Sequence, residues 1–478
     1  MSAQPPGPAS TPTPDSPPST FWRIFGTPAY FRLWCAQVIS SLGDWIGILA
    51  ILAIAARVSS DSGTAVSFVM MARVVPGFFL ATLGGVIVDR FDRRKVMVSC
   101  DVGRASLLML LPFIDTVWGL VLVSFLLEIL TLLWGPAKDA SMPNIVGKDQ
   151  LASANSLSLF ASFGTFPIGA ALFAALTGLA KLLGNVPSMA SLTVNQEVLA
   201  LWVDAGTYLL SALLVFRLPF GGRATGATRE GGRPSRRVDF AGTFRELAEG
   251  VRFLATHRTV RGVIVGLGFG ILGGGAMIPL GPVFARQALG GDQGSTFGIL
   301  MSALGSGAAV GVMSLMALQG RVRGSTVFSL AVIGMGTALI AAASFSALAP
   351  AALMVVIVGA FAGTGYVSGF TLLQEVVSDD LRGRTFATLY TVVRLCLLLS
   401  LTVSPLAADL FDTIVGNLTT GHKVEIGGFS YALPGVRLAL WFGGLVAVLA
   451  GIFSWRELRR DRKSAYDRFP HSPMGTLR

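Results

Sequence analysis

Gly84-Gly85-Val86-Ile87-Val88-Asp89-Arg90-Phe91-Asp92-Arg93-Arg94-Lys95 is the stretch on which the fold turns. An apolar run that begins near residue 64 stops at Val88. A dense charged turn follows, and a second apolar run opens near residue 97. Each run is close to the roughly 20 residues that an α-helix needs to cross hydrocarbon. The stretch therefore reads as a charged turn at the membrane surface, between two spans.

Working outward, runs of similar length recur along the chain. They fall at about 31–57, 64–88, 97–114, 117–135, 152–180, 199–219, 259–286, 295–318, 326–347, 350–373, 385–409 and 434–455. No run shows the apolar/polar alternation of a membrane barrel, so strands are not expected. The predicted fold is an all-α membrane protein of twelve transmembrane helices in two six-helix bundles. Composition agrees: 53% of the 478 residues are hydrophobic and 13% charged, about half the usual ~25%, with a mean hydropathy of +0.68. A soluble fold of this length has too little interior to hide that much apolar surface.

Other classes fall away. The three cysteines (Cys35, Cys100, Cys396) form no CxxC pair, and the three histidines form no HExxH, so neither a disulfide framework nor a metal site is expected. His422 interrupts the nearest approach to a phosphate loop, Gly416 to Lys423. No ATPase motor, cofactor or enzyme activity is expected. The net charge of +11 belongs to loops on one side of the membrane and not to nucleic-acid binding. Of the 37 Lys and Arg, 29 fall on the side of the 89–95 turn and five on the other. That bias places the turn and both termini in the cytoplasm.

The expected organisation is a disordered tail at 1–28, a first bundle at 29–219, a linker at 220–258, a second bundle at 259–457 and a tail at 458–478. Within the linker, Phe240, Phe244, Leu247, Val251 and Leu254 recur at steps of four and three, the period of an amphipathic helix lying on the membrane. The halves read as repeats. The turn at 89–94 is echoed at 319–323, and 143–149 is echoed at 374–380, both at an offset of about 231.

Charge inside a span is costly and marks function by default. Six such residues are singled out: Asp44, Arg73, Arg104, Glu128, Asp204 and Arg394. By depth, Asp44 matches Arg73 and Glu128 matches Arg104. Asp44 reads equally as a proton carrier or as a structural partner of Arg73. Asp204 reads as facing an aqueous vestibule, and Arg394 as an anion site or a helix cap. The offset maps Asp44, Glu128 and Asp204 onto Gly275, Gly359 and Gly435, so coupling chemistry is expected in the first half alone. Glycines of the second half serve close packing or bending. Phe163, Phe166, Trp202, Phe269, Phe284, Phe361 and Tyr366 are candidate pocket aromatics.

In the 84–95 stretch, Asp89 can hold a partner helix by its N-terminal dipole while Arg90, Arg93 and Arg94 stay in water or touch lipid phosphates. Such a latch suits a conformational gate. The stretch resembles the loop signature of the major facilitator superfamily at Gly85, Asp89, Arg90, Arg93 and Arg94. Ile87 replaces the usual Leu, and Asp92 stands where a second Gly is usual. Phe31-Arg32-Leu33-Trp34, Ser40 to Trp45, Pro136 to Asn144 with Ala154-Asn155, and Leu381 to Arg384 are similar to the group of macrolide-efflux and enterobactin-exporter proteins. The resemblance implies secondary active export of an amphipathic small molecule (a drug, macrolide-like compound or siderophore) by proton antiport. It also implies a monomer in a bacterial cytoplasmic membrane, in contact with lipids. An importer or lysophospholipid transporter of the same fold, or a non-transporting interaction protein, are the competing readings.

Overall fold

The computed structural model describes residues 25–59, 63–88, 91–146, 150, 153–154, 157–158, 160–184, 197–218, 257–317, 323–377, 379–418, 423–426 and 429–468. Twelve helical spans run through them: α1 Pro28–Val58, α2 Gly63–Val88, α3 Arg93–Leu110, α4 Val117–Ser141, α5 Phe166–Gly184 and α6 Val198–Phe216. Then come α7, in two pieces (Arg258–Gly274 and Met277–Gln287), α8 Ser295–Ala317, α9 Gly324–Ser344, α10 Leu348–Val376, α11 Asp379–Leu418 and α12 Gly435–Arg468. The twelve expected spans are all present. The last helix continues to Arg468, well into the segment expected as a tail. Most of the linker and most of the 1–28 tail lie outside the described residues.

Local chemistry sets the helix starts. Thr27 accepts from Tyr30 N ahead of α1, with Pro28 at the first helical position, where its missing N–H costs nothing. Asp92 accepts from Arg94 N at 2.9 Å and Lys95 N at 3.2 Å and so caps α3. That is what an acid gives at a position where the resembled signature has glycine: a fixed start to the next helix. Thr116 does the same for α4.

α7 breaks where its sequence demands. Pro279 has no N–H to offer the carbonyl of Gly275. Ala276 and Ile278 instead bond three residues back, to Gly273 and Gly275, and the helix is interrupted at Gly275-Ala276. The start of the fifth span is irregular too, with a π-helical turn at Phe160–Gly164. α1 supplies the donors: Tyr30 Oη to Ala154 O (2.6 Å), Trp34 Nε1 to Leu157 O (2.9 Å), Gln37 Nε2 to Ser158 O (3.0 Å) and Trp45 Nε1 to Ser162 O (3.1 Å). Non-helical backbone at membrane depth survives only when other protein groups satisfy it.

The second bundle closes on glycine. A Cβ on Gly307 or Gly311 of α8 would lie 2.0 Å from the carbonyl oxygen of Val356 or Ala360 on α10. A Cβ on Gly359 of α10 would lie 2.0 Å from Leu304 O on α8. These glycines serve contact between backbones. Arg437 is 0% exposed, although the charge count set it among the sparse cations of the outer side. It donates to Ser344 O and Ala288 O at 3.2 Å and to Ser346 Oγ at 2.7 Å. Those carbonyls end α9 and α7, where helix dipoles favour a cation.

A short antiparallel hairpin, Lys423–Ile426 with Phe429–Ala432, lies between α11 and α12. It departs from the strand-free expectation because four-residue strands are too brief to show a period in sequence.

The two bundles meet at the sparsely charged end. α2 packs on α11 and α5 on α8. Phe173 faces Phe297 edge-on at 6.3 Å, and Gly298 lets α8 approach Ala174. Asp292, outside the spans, caps the start of α8 by accepting from Gly294 N at 3.0 Å and Ser295 Oγ at 2.6 Å. Burial pushes its carboxyl up, but the Ser295 hydrogen bonds and Lys181 outweigh this and hold it below the ordinary carboxylate value. A depressed acid stabilises above its unfolded pKa and loses that contribution as pH falls through the lower folded value. Asp292→Ala is therefore expected to cost about 1 kcal/mol at neutral pH. The difference in melting point from the native protein should vanish well below about pH 4; a gap that persists there would rule out this capping role.

Candidate functional site: a buried polar network in the first bundle

Three helices bring the site together. α6 presents Asp204, Thr207, Tyr208 and Ser211, a spacing that keeps Asp204, Tyr208 and Ser211 on one face. α3 presents Asp101 and Arg104, one turn apart. α1 presents Asp44 between Gly43 and Trp45.

At its centre Arg104 and Asp101 form an ion pair, with exposures of 2% and 0%. Ser211 Oγ donates to the other Asp101 oxygen at 2.8 Å. The Arg104 guanidinium sits 4.2 Å from the Tyr208 ring centre and 5.5 Å from that of Trp134, a double cation–π contact. Tyr208 Oη in turn donates to Asp44. The chain of contacts thus runs Ser211, Asp101, Arg104, Tyr208, Asp44, from a sealed interior to a half-buried carboxylate.

This corrects both pairings expected from depth. Arg104 takes Asp101 and not Glu128. Asp44 takes the Tyr208 hydroxyl, and among the described residues it forms no ion pair with Arg73. Depth alone cannot tell which face of a helix a residue occupies. Glu128 and Arg73 are half-buried and lie within electrostatic reach of each other.

Asp204 does not face a vestibule; it is 2% exposed. Its carboxylate lies against the backbone of α1. A Cβ on Gly43 would come within 2.2 Å of Oδ1 and one on Gly47 within 2.1 Å of Oδ2. Thr207 Oγ1 donates to the Asp204 carbonyl at 2.7 Å and also reaches Oδ1 at 3.3 Å. Gly43 and Gly47 therefore form a cradle, four residues apart, shaped for that acid. Arg394, on α11, is exposed.

Asp101 is absent from the residues chosen on sequence, although an acid three positions before Arg104 in one span was a signal in plain view. Lys138 is a second omission. Counted as a surface cation, it is buried and donates to Ser158 Oγ at 2.6 Å, which donates to Gln37 Oε1 at 2.9 Å. Of the gate motif, Asp89 and Arg90 lie outside the described residues, as does the side-chain environment of Gly85. Arg93 donates to Ala140 O, tying the turn to the end of α4. Arg94 lies 5.7 Å from the Phe216 ring centre on α6. Among the aromatics, Phe284 is wholly buried core, Phe166 packs on Trp45 at 4.7 Å, and Trp202, Phe269 and Tyr366 are exposed. Phe163 is not among the described side chains.

Among the described residues of the second bundle no chain of ionisable groups as long as this one occurs. The offset of about 231 sets Val332 and Met335, both buried, opposite Asp101 and Arg104. A bundle whose buried charges, Arg437 and the Arg261–Glu457 pair, serve helix ends, beside one that carries a chain of ionisable groups between helices, is the layout of a membrane carrier with its charge chemistry on one side.

That class is borne out by comparison with known proteins: the chain has the fold of the major facilitator superfamily. Residues 19–399 match the transmembrane secretion effector family of that superfamily, and the chain belongs to it. It is a multi-pass membrane protein of a family of transporters, not of enzymes.

The multidrug efflux pump Tap of Mycobacterium tuberculosis is 24% identical over 433 residues, 88% of this chain and 93% of that one. An uncharacterized MFS-type transporter of Bacillus subtilis, YfiS, is 28% identical over 187 residues. The match spans 39% of this chain and only 41% of YfiS. Macrolide efflux protein A of Streptococcus pyogenes is 27% identical over 135 residues, 27% of this chain and 32% of that one. In structure, a bacterial homologue of the human lysosomal transporter Spinster, inward-facing and unoccupied, superimposes with a TM-score of 0.65. The identity is 16%, covering 91% of this chain and 98% of that one. The nucleoside transporter NupG superimposes with a TM-score of 0.63 at 11% identity, over 91% of this chain and 100% of that one. These two likenesses concern fold.

Proposed function

We propose that this transporter exports amphipathic small molecules across a bacterial cytoplasmic membrane by proton antiport and alternating access, with its basic face in the cytoplasm. The observation that carries the reading is the Asp44–Tyr208 contact, backed by the buried Arg104–Asp101 pair. A half-buried carboxylate at membrane depth gains and loses a proton at modest cost only if its surroundings favour both states. Tyr208 offers a hydroxyl to the charged form, and the guanidinium behind its ring supplies a positive field. Neither neutralises Asp44 permanently, as a direct ion pair would. A substrate that displaces the Tyr208 hydroxyl, or expels the proton, links its own movement to proton entry.

Three further features support this reading. Closure at the sparsely charged end corresponds to an inward-facing state. Tap and macrolide efflux protein A carry efflux in their names, and aromatic, weakly charged spans suit a lipophilic cargo better than a sugar. Alternation would break the α2–α11 and α5–α8 contacts and close the other end through the Asp89 and Arg93 turn. Glu128, Asp204 and Arg73 would tune the field at Asp44. The unit that transports is a single chain.

The test is dye and drug efflux from energised cells at equal membrane expression. Native protein should lower cell-associated compound, and both Asp44→Asn and a protonophore should abolish at least nine-tenths of that effect. An Asp44→Asn protein that pumps normally would remove Asp44 from coupling. Accumulation in place of loss would assign an importer, and no movement across a broad panel with lipid flipping present would assign a lipid transporter.

A further inference from the structure

We propose that Asp409 is the positioning residue that holds the sparsely charged end of the transporter shut, by capping the first turn of α2 across the boundary between the bundles. The first N–H groups of any helix lack partners in their own chain segment. In α2 that need is met from the other bundle. Gly63 N donates to Asp409 Oδ1 at 2.8 Å, Thr64 N to Oδ2 at 2.7 Å and Thr64 Oγ1 to Oδ2 at 2.6 Å. Three donors on one carboxylate, at the positive end of a helix dipole, make a charge-assisted cap.

The approach is specific to these residues. A Cβ on Gly63 would stand 2.2 Å from Pro405 O of α11, so glycine alone lets the two backbones close. One turn deeper, Ser67 Oγ donates to Thr402 O at 2.6 Å. Further along α11, Asp412 accepts from Gly435 N at 2.9 Å and caps α12 within its own bundle. Two acids on one helix thus cap two neighbours. Asp412 does so inside a rigid body, and Asp409 does so across the surface that must part in every cycle.

The other ends of the same helices carry the mirror arrangement in sequence, with Asp89 just after α2 and α11 beginning at Asp379. Asp409 is thereby a determinant of the conformational equilibrium, remote from the ionisable chain in the first bundle.

The proposal rests on the alternating-access reading. Its test reports shape without transport, so a failed export assay and a failed latch are told apart. Phe297→Cys, on the α5–α8 seam, is labelled with a maleimide dye in nanodiscs, where both faces are accessible. Labelling of Cys35, Cys100 and Cys396 in the parent protein is subtracted. Asp409→Asn and Asp409→Ala are expected to speed labelling at position 297 at least tenfold, Thr64→Val less, and Asp409→Glu to stay within threefold of native. Equal rates in native, Asn and Ala proteins of normal size-exclusion profile would overturn it. Should the Asp409 variants fail to fold, an unchanged rate in Thr64→Val would do the same.

Discussion

Asp101→Ala is expected to leave little folded protein in the membrane fraction, and a melting point lowered by several degrees in whatever is recovered. Arg104 has almost no exposed surface and the ion pair is its charge partner. Removing one member of a buried pair strands the other charge and costs about 3–5 kcal/mol, a large part of a typical net stability of about 5–15 kcal/mol. The neutral double variant Asp101→Asn with Arg104→Gln should recover much of the loss, since a buried pair contributes less than its breakage costs. The two effects are separable by thermal melting in detergent beside efflux in cells. The double variant should melt near the native protein yet export poorly, because the Tyr208 ring has lost its cation. A single variant as stable as native would show that Arg104 has another counterion, and the network drawn here would fall.

The second large effect is expected at Gly359. A valine there must find room for a Cβ that would stand 2.0 Å from Leu304 O, beside Gly307 and Gly311, which meet the backbone of α10 just as closely. Backbone cannot step aside as a side chain can. The helices must separate along their contact, forfeiting dispersion over several turns. Overpacking of this kind costs about 1–3 kcal/mol and at times more. Gly359→Val should aggregate or melt well below native, and Gly359→Ala should fall between. Gly206→Ala on α6, with nothing within 4 Å of its Cβ, should melt as the native protein does. A Gly359→Val protein that matched it would mean the α8–α10 spacing is not set by glycine.

Particular residues show how far sequence reading reached. The spans were legible because hydrocarbon imposes a length and an apolar content that few soluble helices share. The break in α7 falls within a run that reads as one span, 259–286, although Pro279 removes a donor wherever it falls. Asp44, Arg104, Asp204, Glu128 and Arg73 were legible as charges inside spans. Their partners were not. Rotational setting about the α3 axis decides whether the face shared by Asp101 and Arg104 meets Glu128 on α4 or Tyr208 and Ser211 on α6, and packing sets it. Arg437 and Lys138 passed as surface cations because a charge near a helix end has the same place in sequence whether it faces water or three carbonyl groups.

The sequence by itself determined that this chain crosses a membrane twelve times, sets Asp44, Glu128 and Asp204 in the spans of its first half and carries a charged turn after the second span. Each follows from one-dimensional quantities, namely run length, charge count and spacing. Only the tertiary structure decided that Asp204 lies in a cradle of Gly43 and Gly47, that Arg104 is shared between Asp101 and the Tyr208 ring, and that Asp409 reaches the start of α2 across more than three hundred residues. Apart from the Asp101–Arg104 pair within α3, those are contacts between helices far apart in the chain. They depend on which faces meet, and that is settled by the mutual fit of whole surfaces, where a missing Cβ can matter as much as a charge.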